Sequence, residues 1–86
     1  MLTRLILAFA IFSSTVFAQS LRIVSTAPSI TELLYALGLG DRIVGVDRFS
    51  HYPAEAAKKP QIGDYAATNL EVIAQLKPSL VIIPTN

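Results

Sequence analysis

Two short apolar segments with a helical pattern between them constrain the fold of this chain more than any other feature. Residues 21–25 (LRIVS) and residues 43–46 (IVGV) each have the length and composition of a β-strand. The segment between them carries apolar side chains at helical spacing, namely Ile30, Leu33, Leu34 and Leu37. A strand, a helix and a strand in this order form a βαβ unit, in which the two strands are parallel.

Both predicted helices begin with a capping box, in which two side chains bond free backbone N–H groups of the first turn. Ser29 and Glu32 match this S-x-x-E pattern in the first helix. Thr68 and Glu71 match the corresponding T-x-x-E pattern in the second helix, which Pro78 ends. One face of the second helix carries Leu70, Ile73, Ala74 and Lys77, with Val72 and Leu76 beside it.

A third apolar segment, residues 80–84 (LVIIP), is apolar on both faces, which is typical of a central strand in a covered parallel sheet. Residues 47–60 are predicted as a loop with helical turns at residues 53–59, and residues 61–63 as a very short strand. The sequence therefore predicts an α/β fold, an open, mostly parallel sheet with flanking helices. Because it stops at Asn86, directly after a strand, we expect it to be the amino-terminal part of a longer protein.

The amino-terminal segment is typical of a cleavable signal peptide. Its start is positively charged, residues 5–12 are an unbroken apolar run, and the small residues Val16 and Ala18 fit a signal-peptidase site. A membrane anchor is the alternative, but a spanning helix needs about 20 apolar residues, and this run ends too early. We therefore predict that the signal peptide is residues 1–18 and that residues 19–86 are exported.

The composition excludes several classes of function. Seven basic residues oppose six acidic ones, and no basic patch indicates nucleic-acid binding. The chain has no Cys and one His, which excludes thiolate chemistry and a metal site built on a His pair. No glycine-rich phosphate-binding motif is present either.

Catalysis also has little support in the sequence. Ser50, His51 and Asp47 are the residue types of a hydrolase triad, but no G-x-S-x-G elbow accompanies them. We therefore predict no enzyme activity and no catalytic residue. His51 has two interpretations, a ligand to a metal or haem iron and a surface residue, and a single loop histidine favours the second. We predict no resident metal site.

The loops at the carboxyl ends of the predicted strands contain the candidate ligand-binding residues, because ligands of open parallel sheets bind there. These residues are Arg48, Phe49, Tyr52 and Tyr65. Aromatic faces with a few polar neighbours suit a bulky, partly flat ligand. Phe49 and Tyr65 have a second interpretation, as covers of the loop core, and Arg48 as a solvated charge.

Four ordered blocks of the sequence resemble one family. These blocks are residues 22–39 together with 43–46, residues 51–56 (HYPAEA), residues 61–64 (QIGD) and residues 69–81 (NLEVIAQLKPSLV). They are similar to the opening of the periplasmic binding proteins of cobalamin, ferric-siderophore and haem ABC importers, and most similar to the vitamin B12-binding branch. The resemblance implies two α/β lobes joined by a rigid helix, with the ligand in the cleft between them. Residues 19–86 are then an incomplete amino-terminal lobe.

The resemblance also implies a function and the roles of particular residues. Proteins of this family capture a small-molecule metal chelate in the periplasm and deliver it to an inner-membrane ABC permease with its ATPase; we expect a monomer without a cofactor. In the vitamin B12-binding branch an aromatic side chain after the second strand lines the corrinoid, and Phe49 has that position, where Tyr is familiar. Tyr65 has the second aromatic position, where Trp is familiar. Glu71 matches a carboxylate that docks to basic residues of the permease.

Cobalamin is not the only ligand that fits the resemblance, and other functions remain as alternatives. If the ligand is haem, Tyr52, Tyr65 or His51 is placed to reach the iron. If it is a ferric siderophore, Arg48 is placed to face the anionic chelate. An exported α/β enzyme and a truncated product without function are the remaining alternatives.

Overall fold

The computed structural model describes residues 20–85, and the predicted signal peptide lies outside them. In chain order, the strands and α-helices are β1 (Ile23–Ser25), α1 (Pro28–Ala36), β2 (Ile43–Val46), β3 (Gly63–Asp64), β4 (Ala67–Thr68), α2 (Leu70–Leu76) and β5 (Leu80–Ile82). Short 3-10 helices cover Gly40–Arg42 and Ala54–Lys58, and the second lies within the helical turns predicted for residues 53–59. No helix within residues 20–85 has the length and apolar character needed to cross a membrane.

β1 is the central strand of a parallel sheet, with β2 on one side and β5 on the other. Ile23 of β1 pairs with Ile43 of β2 and with Leu80 of β5. The predicted βαβ unit is therefore present as β1, α1 and β2, and the predicted α/β class is confirmed. β3 and β4 form a separate antiparallel hairpin that the sequence analysis did not predict.

β5 lies at an edge of the three-stranded sheet, so the prediction of a central strand over residues 80–84 is wrong for the described chain. Its side chains are substantially exposed, at 44% for Leu80 and 39% for Val81, and the following Ile83 is 62% exposed. An apolar segment indicates burial but does not by itself fix the order of strands in a sheet. β1 is central because it pairs with both neighbours.

α1 begins earlier than the capping-box pattern predicts. Its N-cap is Ala27 in an extended conformation, without a side-chain hydrogen bond, and Pro28 follows as the first helical residue. Proline is suited to this position because its missing N–H has no partner there in any helix. The predicted cap at Ser29 is therefore wrong, since Ser29 already lies inside the helix.

The buried face of α1 is narrower than predicted. Leu34 is buried against the sheet, whereas Leu33 is 59% exposed and Leu37 is 64% exposed. The buried apolar cluster under this helix consists of Ile23, Leu34, Ile43 and Val46, against which Leu21, Ile30, Tyr35, Leu39 and Ile82 pack. This cluster joins α1 to the strands β1 and β2.

α2 is capped by Asn69 rather than by the predicted Thr68. The Asn69 side chain accepts a hydrogen bond from the Val72 N–H at 3.1 Å, as an N-cap does. Thr68 belongs to β4 instead, and its hydroxyl donates to the Asp64 carbonyl at 2.8 Å. The Thr68 hydroxyl, which the capping-box pattern predicts at the start of α2, therefore stabilises the hairpin instead.

α2 ends at Leu76, two residues before the predicted terminator Pro78. Lys77 adopts a left-handed conformation, and the Arg22 guanidinium donates to the carbonyls of Leu76 at 2.7 Å and Lys77 at 3.2 Å. The half-buried side chains of this helix are those of Val72, Ile73 and Leu76. Leu70 is 75% exposed, so the packing face is rotated from the predicted one.

Tyr35 fills the space beside Gly40, where any Cβ would collide with its ring. Its hydroxyl is buried without a hydrogen-bond partner in the described part of the chain. Burial raises the pKa of Tyr35 above its ordinary value, and the negative charges of Glu55 and Asp41 raise it further. The neutral phenol is thus the form that the fold favours.

Candidate ligand site at the carboxyl edge

The loops that follow β1, β2 and β5 meet at one edge of the sheet, because the three strands are parallel. We call this the carboxyl edge; it is formed by residues 26–27, 47–52 and 83–85. Thr26 ties the first of these loops to the third, since its N–H and its hydroxyl both donate to the Ile82 carbonyl, at 3.2 and 2.9 Å. The first and third of these loops are therefore held together.

The β3–β4 hairpin is attached to the loop that follows β2. Val46 and Gln61 form a single parallel bridge, in which the Ile62 N–H donates to the Val46 carbonyl at 2.9 Å. Beyond the end of β2, the Arg48 N–H donates to the Gly63 carbonyl at 2.8 Å. The very short strand predicted here is thus a bridge followed by a hairpin, whose two strands pair with each other.

Tyr65 lies at the tip of this hairpin. The Asp64 carboxylate accepts hydrogen bonds from the N–H groups of Ala66 at 3.0 Å and Ala67 at 2.8 Å, which closes the turn around Tyr65. Gly63 has a φ of 89°, and a Cβ there would lie 2.5 Å from the Ala67 carbonyl oxygen. This close approach requires glycine. The Tyr65 side chain is 68% exposed.

Arg48 links the loop to the hairpin through its side chain as well. Its Nε lies 3.6 Å from Asp64 Oδ2, and its Cζ lies 4.7 Å from the centroid of the Phe49 ring. A cation at this distance from an aromatic face is attracted to it. One guanidinium therefore contacts the loop aromatic, Phe49, and the carboxylate that precedes the hairpin aromatic, Tyr65. The structure brings these predicted site residues to one side of the carboxyl edge.

Tyr52 and His51 lie in the same loop but outside this group. Tyr52 is 72% exposed, and within residues 20–85 no hydrogen bond or ring contact ties it to Arg48 or Phe49. His51 is exposed as well. No group of three His, Asp or Glu side chains in the described residues is arranged to hold a metal ion.

Glu71 lies in the first turn of α2 and is exposed. The preceding Asn69 donates its N–H to the Ile62 carbonyl at 2.8 Å, which holds the start of this helix next to the β3–β4 hairpin. A carboxylate in the first turn of a helix is favoured by the partial positive charge of the helix terminus. Glu71 therefore presents a negative charge to solvent near the hairpin.

Four polar side chains beneath the carboxyl edge were not recognised as a group in the sequence. Ser25, Thr31, Asp47 and Ser50 are each at most 2% exposed, and they form one hydrogen-bonded chain. Ser50 donates to Asp47, but His51 is not part of this chain, so the triad composed from the sequence does not form. Ser25 within an otherwise apolar strand was the available signal.

Comparisons with known proteins identify the family. The family model described as periplasmic binding protein matches residues 23–86. The vitamin B12-binding protein of Photorhabdus laumondii is 42% identical over 78 residues, which are 91% of this chain and 28% of that protein. The solved periplasmic vitamin B12-binding protein BtuF of Vibrio cholerae aligns with a TM-score of 0.68 at 44% identity. The periplasmic heme-binding protein RhuT from Roseiflexus sp. RS-1 aligns with a TM-score of 0.67 at 46% identity.

The two structural alignments each cover 72% of this chain and 24% of the solved chain, so the chain spans about a quarter of the length of these relatives. All three relatives are named as binding proteins rather than as enzymes. The resemblance found in the sequence is thereby confirmed by sequence and by structure. The chain belongs to the periplasmic binding protein family.

Proposed function

We propose that this chain is part of the substrate-binding component of an ABC importer, which captures a corrinoid such as cobalamin in the periplasm. The observation that supports this most is the carboxyl edge, where Arg48 contacts Phe49 and the hairpin that carries Tyr65. The naming of two relatives as vitamin B12-binding proteins supports the ligand class.

Phe49 and Tyr65 are the proposed corrinoid contacts. Their side chains are 53% and 68% exposed, so a flat ligand can cover both without opening the core. Arg48 lies over the Phe49 ring, and its unused N–H groups are donors for polar groups at the rim of the ligand. Tyr52, in the same loop, is the fourth proposed contact.

Delivery to an inner-membrane permease with its ATPase is the second half of the proposal. Glu71 is the proposed docking residue, because it is exposed on the first turn of α2. An exposed ion pair contributes little affinity, so this contact would orient the two proteins.

Export through the cleavable signal peptide at residues 1–18 places the protein in the periplasm, where we expect it to act as a monomer.

Haem is the second candidate ligand, and the Roseiflexus relative favours it, since that heme-binding protein is 46% identical to this chain. Tyr65 and Tyr52 are exposed residues, and a phenol oxygen is a suitable ligand for ferric iron. The same carboxyl edge would then bind a flat macrocycle through an iron–oxygen bond in addition to stacking on its aromatic rings.

Two hybrid proteins distinguish these ligands. In each, residues 20–85 of this chain replace the aligned segment of a solved relative, either the Vibrio cholerae or the Roseiflexus protein, which supplies the rest of the cleft. We expect the Vibrio hybrid to bind cobalamin in spectral titrations and the Roseiflexus hybrid not to bind haemin. Haemin binding by the Roseiflexus hybrid without cobalamin binding by the Vibrio hybrid would identify haem as the ligand. Absence of binding in both hybrids would overturn the proposed function.

Substitutions in the Vibrio hybrid test the residues. Phe49→Ala and Tyr65→Ala are each expected to weaken cobalamin binding about fivefold, the loss expected from about 1 kcal/mol of aromatic contact. Leu37→Ala is the control, because it removes a side chain that is 64% exposed at the carboxyl end of α1. Unchanged affinity in both aromatic variants would place the ligand elsewhere.

The docking role of Glu71 has its own experiment. Glu71→Gln is expected to leave cobalamin affinity unchanged and to lower uptake into vesicles that contain the Vibrio permease and ATPase. Glu32→Gln removes a carboxylate of α1 that is also exposed and serves as the matched control. Equal uptake by the two variants would contradict the assignment.

A further inference from the structure

The chain of buried polar side chains beneath the carboxyl edge connects three elements. Ser25 of β1 and Thr31 of α1 are joined by their hydroxyl oxygens at 2.7 Å, and Thr31 is joined to Ser50 at 2.8 Å. Ser50 donates to the Asp47 carboxylate. The chain therefore runs from the centre of the sheet, through the helix, into the loop that follows β2.

The direction of these hydrogen bonds follows from the carboxylate at one end. Ser50 donates its single hydroxyl proton to Asp47, so its oxygen accepts from the Thr31 hydroxyl. The Ala27 carbonyl is a second acceptor for the hydroxyls of Ser25 at 3.1 Å and Thr31 at 3.3 Å. The Ser50 hydroxyl therefore has Asp47 as its acceptor and no second one among these bonds, whereas the Ser25 hydroxyl can donate to the Ala27 carbonyl instead of to Thr31.

The other oxygen of the same carboxylate holds the main chain of the proposed ligand contact. Asp47 Oδ2 accepts from the Phe49 N–H at 3.0 Å. Within the described part of the chain, the Asp47 carboxylate meets these neutral donors and no cationic side chain. A buried polar group is costly unless it is hydrogen-bonded, so Asp47 depends on these two donors.

The rest of the loop has little apolar packing to hold it. Within residues 47–52 only Asp47 and Ser50 are buried, while Phe49 is 53% exposed and Tyr52 is 72% exposed. Burial of the ring therefore does not fix Phe49, and its position depends on polar contacts: those of the two buried residues on either side of it and that of the Arg48 guanidinium with the ring.

We infer that Asp47 and Ser50 are positioning residues, which hold Phe49 at the carboxyl edge before a ligand arrives. The inference rests on the proposed function for its effect on binding, but the positioning itself is a property of the ligand-free protein. A contact surface held in place in advance loses less conformational freedom on binding. The ligand class concerned is the flat macrocycle that stacks on Phe49.

Hydrogen exchange of the Phe49 amide in the ligand-free Vibrio hybrid tests the positioning directly. Ser50→Ala is expected to speed this exchange about fivefold, because Asp47 loses the donor that fixes its carboxylate. Ser25→Ala is the matched control, since it removes another buried hydroxyl of the same chain and is expected to leave Phe49 exchange unchanged. Equal acceleration by both variants, or none by Ser50→Ala, would overturn the inference.

Asp47→Ala gives a second route if Ser50→Ala does not fold. It removes both carboxylate oxygens, so the Phe49 N–H loses its acceptor and Ser50 loses its partner. Phe49 exchange is again expected to rise about fivefold. Unchanged exchange in a folded Asp47→Ala hybrid would equally overturn the inference.

A double-mutant cycle separates positioning from general destabilisation in the binding assay. Ser50→Ala is expected to weaken cobalamin binding about threefold when Phe49 is present and to have no further effect in the Phe49→Ala hybrid. The same loss in both backgrounds would show that Ser50 does not act through Phe49. If the hybrid binds neither cobalamin nor haemin, the proposed function fails, while the exchange experiment still decides the positioning.

Discussion

Gly63 and Gly38 provide a matched pair of substitutions for testing how the hairpin is held. Both residues have a positive φ, 89° and 79°, but a Cβ at Gly63 would lie 2.5 Å from the Ala67 carbonyl oxygen, whereas a Cβ at Gly38 meets nothing within 4 Å. Each alanine loses about 1–2 kcal/mol to the left-handed conformation, offset by about 0.4–1 kcal/mol of unfolded-state entropy.

Gly63→Ala must in addition displace the backbone of β4, at a further cost of about 1–3 kcal/mol. We therefore expect Gly38→Ala to destabilise the Vibrio hybrid by about 0–1.5 kcal/mol and Gly63→Ala by about 1–4.5 kcal/mol. The midpoints of urea unfolding, at unchanged m-value, measure this difference.

The same pair of substitutions separates effects on stability from effects on the candidate site. The Gly63 carbonyl accepts from the Arg48 N–H, and the adjacent Asp64 contacts the Arg48 side chain, so moving the hairpin disturbs both contacts. Gly63→Ala is therefore expected to weaken cobalamin binding, and Gly38→Ala to leave it unchanged, when both are measured well below their unfolding midpoints. Equal unfolding midpoints, or equal affinities, would refute the reasoning.

Three further predictions concern the helices and the core. Asn69→Ala removes the cap of α2 and is expected to cost about 1 kcal/mol in urea unfolding, whereas Ser29→Ala, inside α1, is expected to change stability little. Because the pKa of Tyr35 is raised by folding, its contribution to stability is complete below about pH 10 and is lost as pH rises through the folded-state pKa. Tyr35→Phe should therefore reduce the alkaline loss of stability. Leu34→Ala, at a side chain 5% exposed, is expected to cost about 2–5 kcal/mol.

The parallel βαβ unit was predictable because its signals are local and strong. Residues 21–25 and 43–46 are short segments rich in Ile and Val, and Ile30 and Leu34 have helical spacing, so the two strands and the helix between them follow from pattern alone. The placement of the loop aromatics at one edge followed in turn, because parallel strands have their carboxyl ends together. Phe49 accordingly follows β2 at that edge, whereas the hairpin carrying Tyr65 is held next to it by the contacts of Arg48 with Gly63 and Asp64.

The start of α1 and the β3–β4 hairpin were not predictable from local pattern, because neighbouring residues offer alternative caps and turns. Ser29 matches a cap as well as Asn69 does, but Pro28 precedes it and starts the helix. The hairpin has strands of two residues, too short for any alternation of apolar and polar side chains. Its formation depends on the turn at Asp64 and on the conformation of Gly63.

The buried polar chain was missed for a different reason. Ser25, Thr31 and Ser50 are residue types that lie mostly at surfaces, and their sequence spacing carries no period. Only the crossing of α1 over the sheet brings Thr31 between the other two hydroxyls. The sequence therefore marks Ser25 as unusual within its strand but does not show its partners.

The bonds between Arg22 and Ser79 have a consequence for the order in which the molecule folds. The Arg22 N–H donates to the Ser79 hydroxyl at 2.9 Å, and the N–H groups of Ser79 and Leu80 donate to the Arg22 carbonyl, across a separation of 57 residues for the first pair. Closing a loop of that length precedes the gain from its contacts and slows folding. In a chain that emerges from its amino end, one edge of β1 therefore stays unpaired until β5 has emerged. An unpaired strand edge is prone to pair with the wrong strand during that interval.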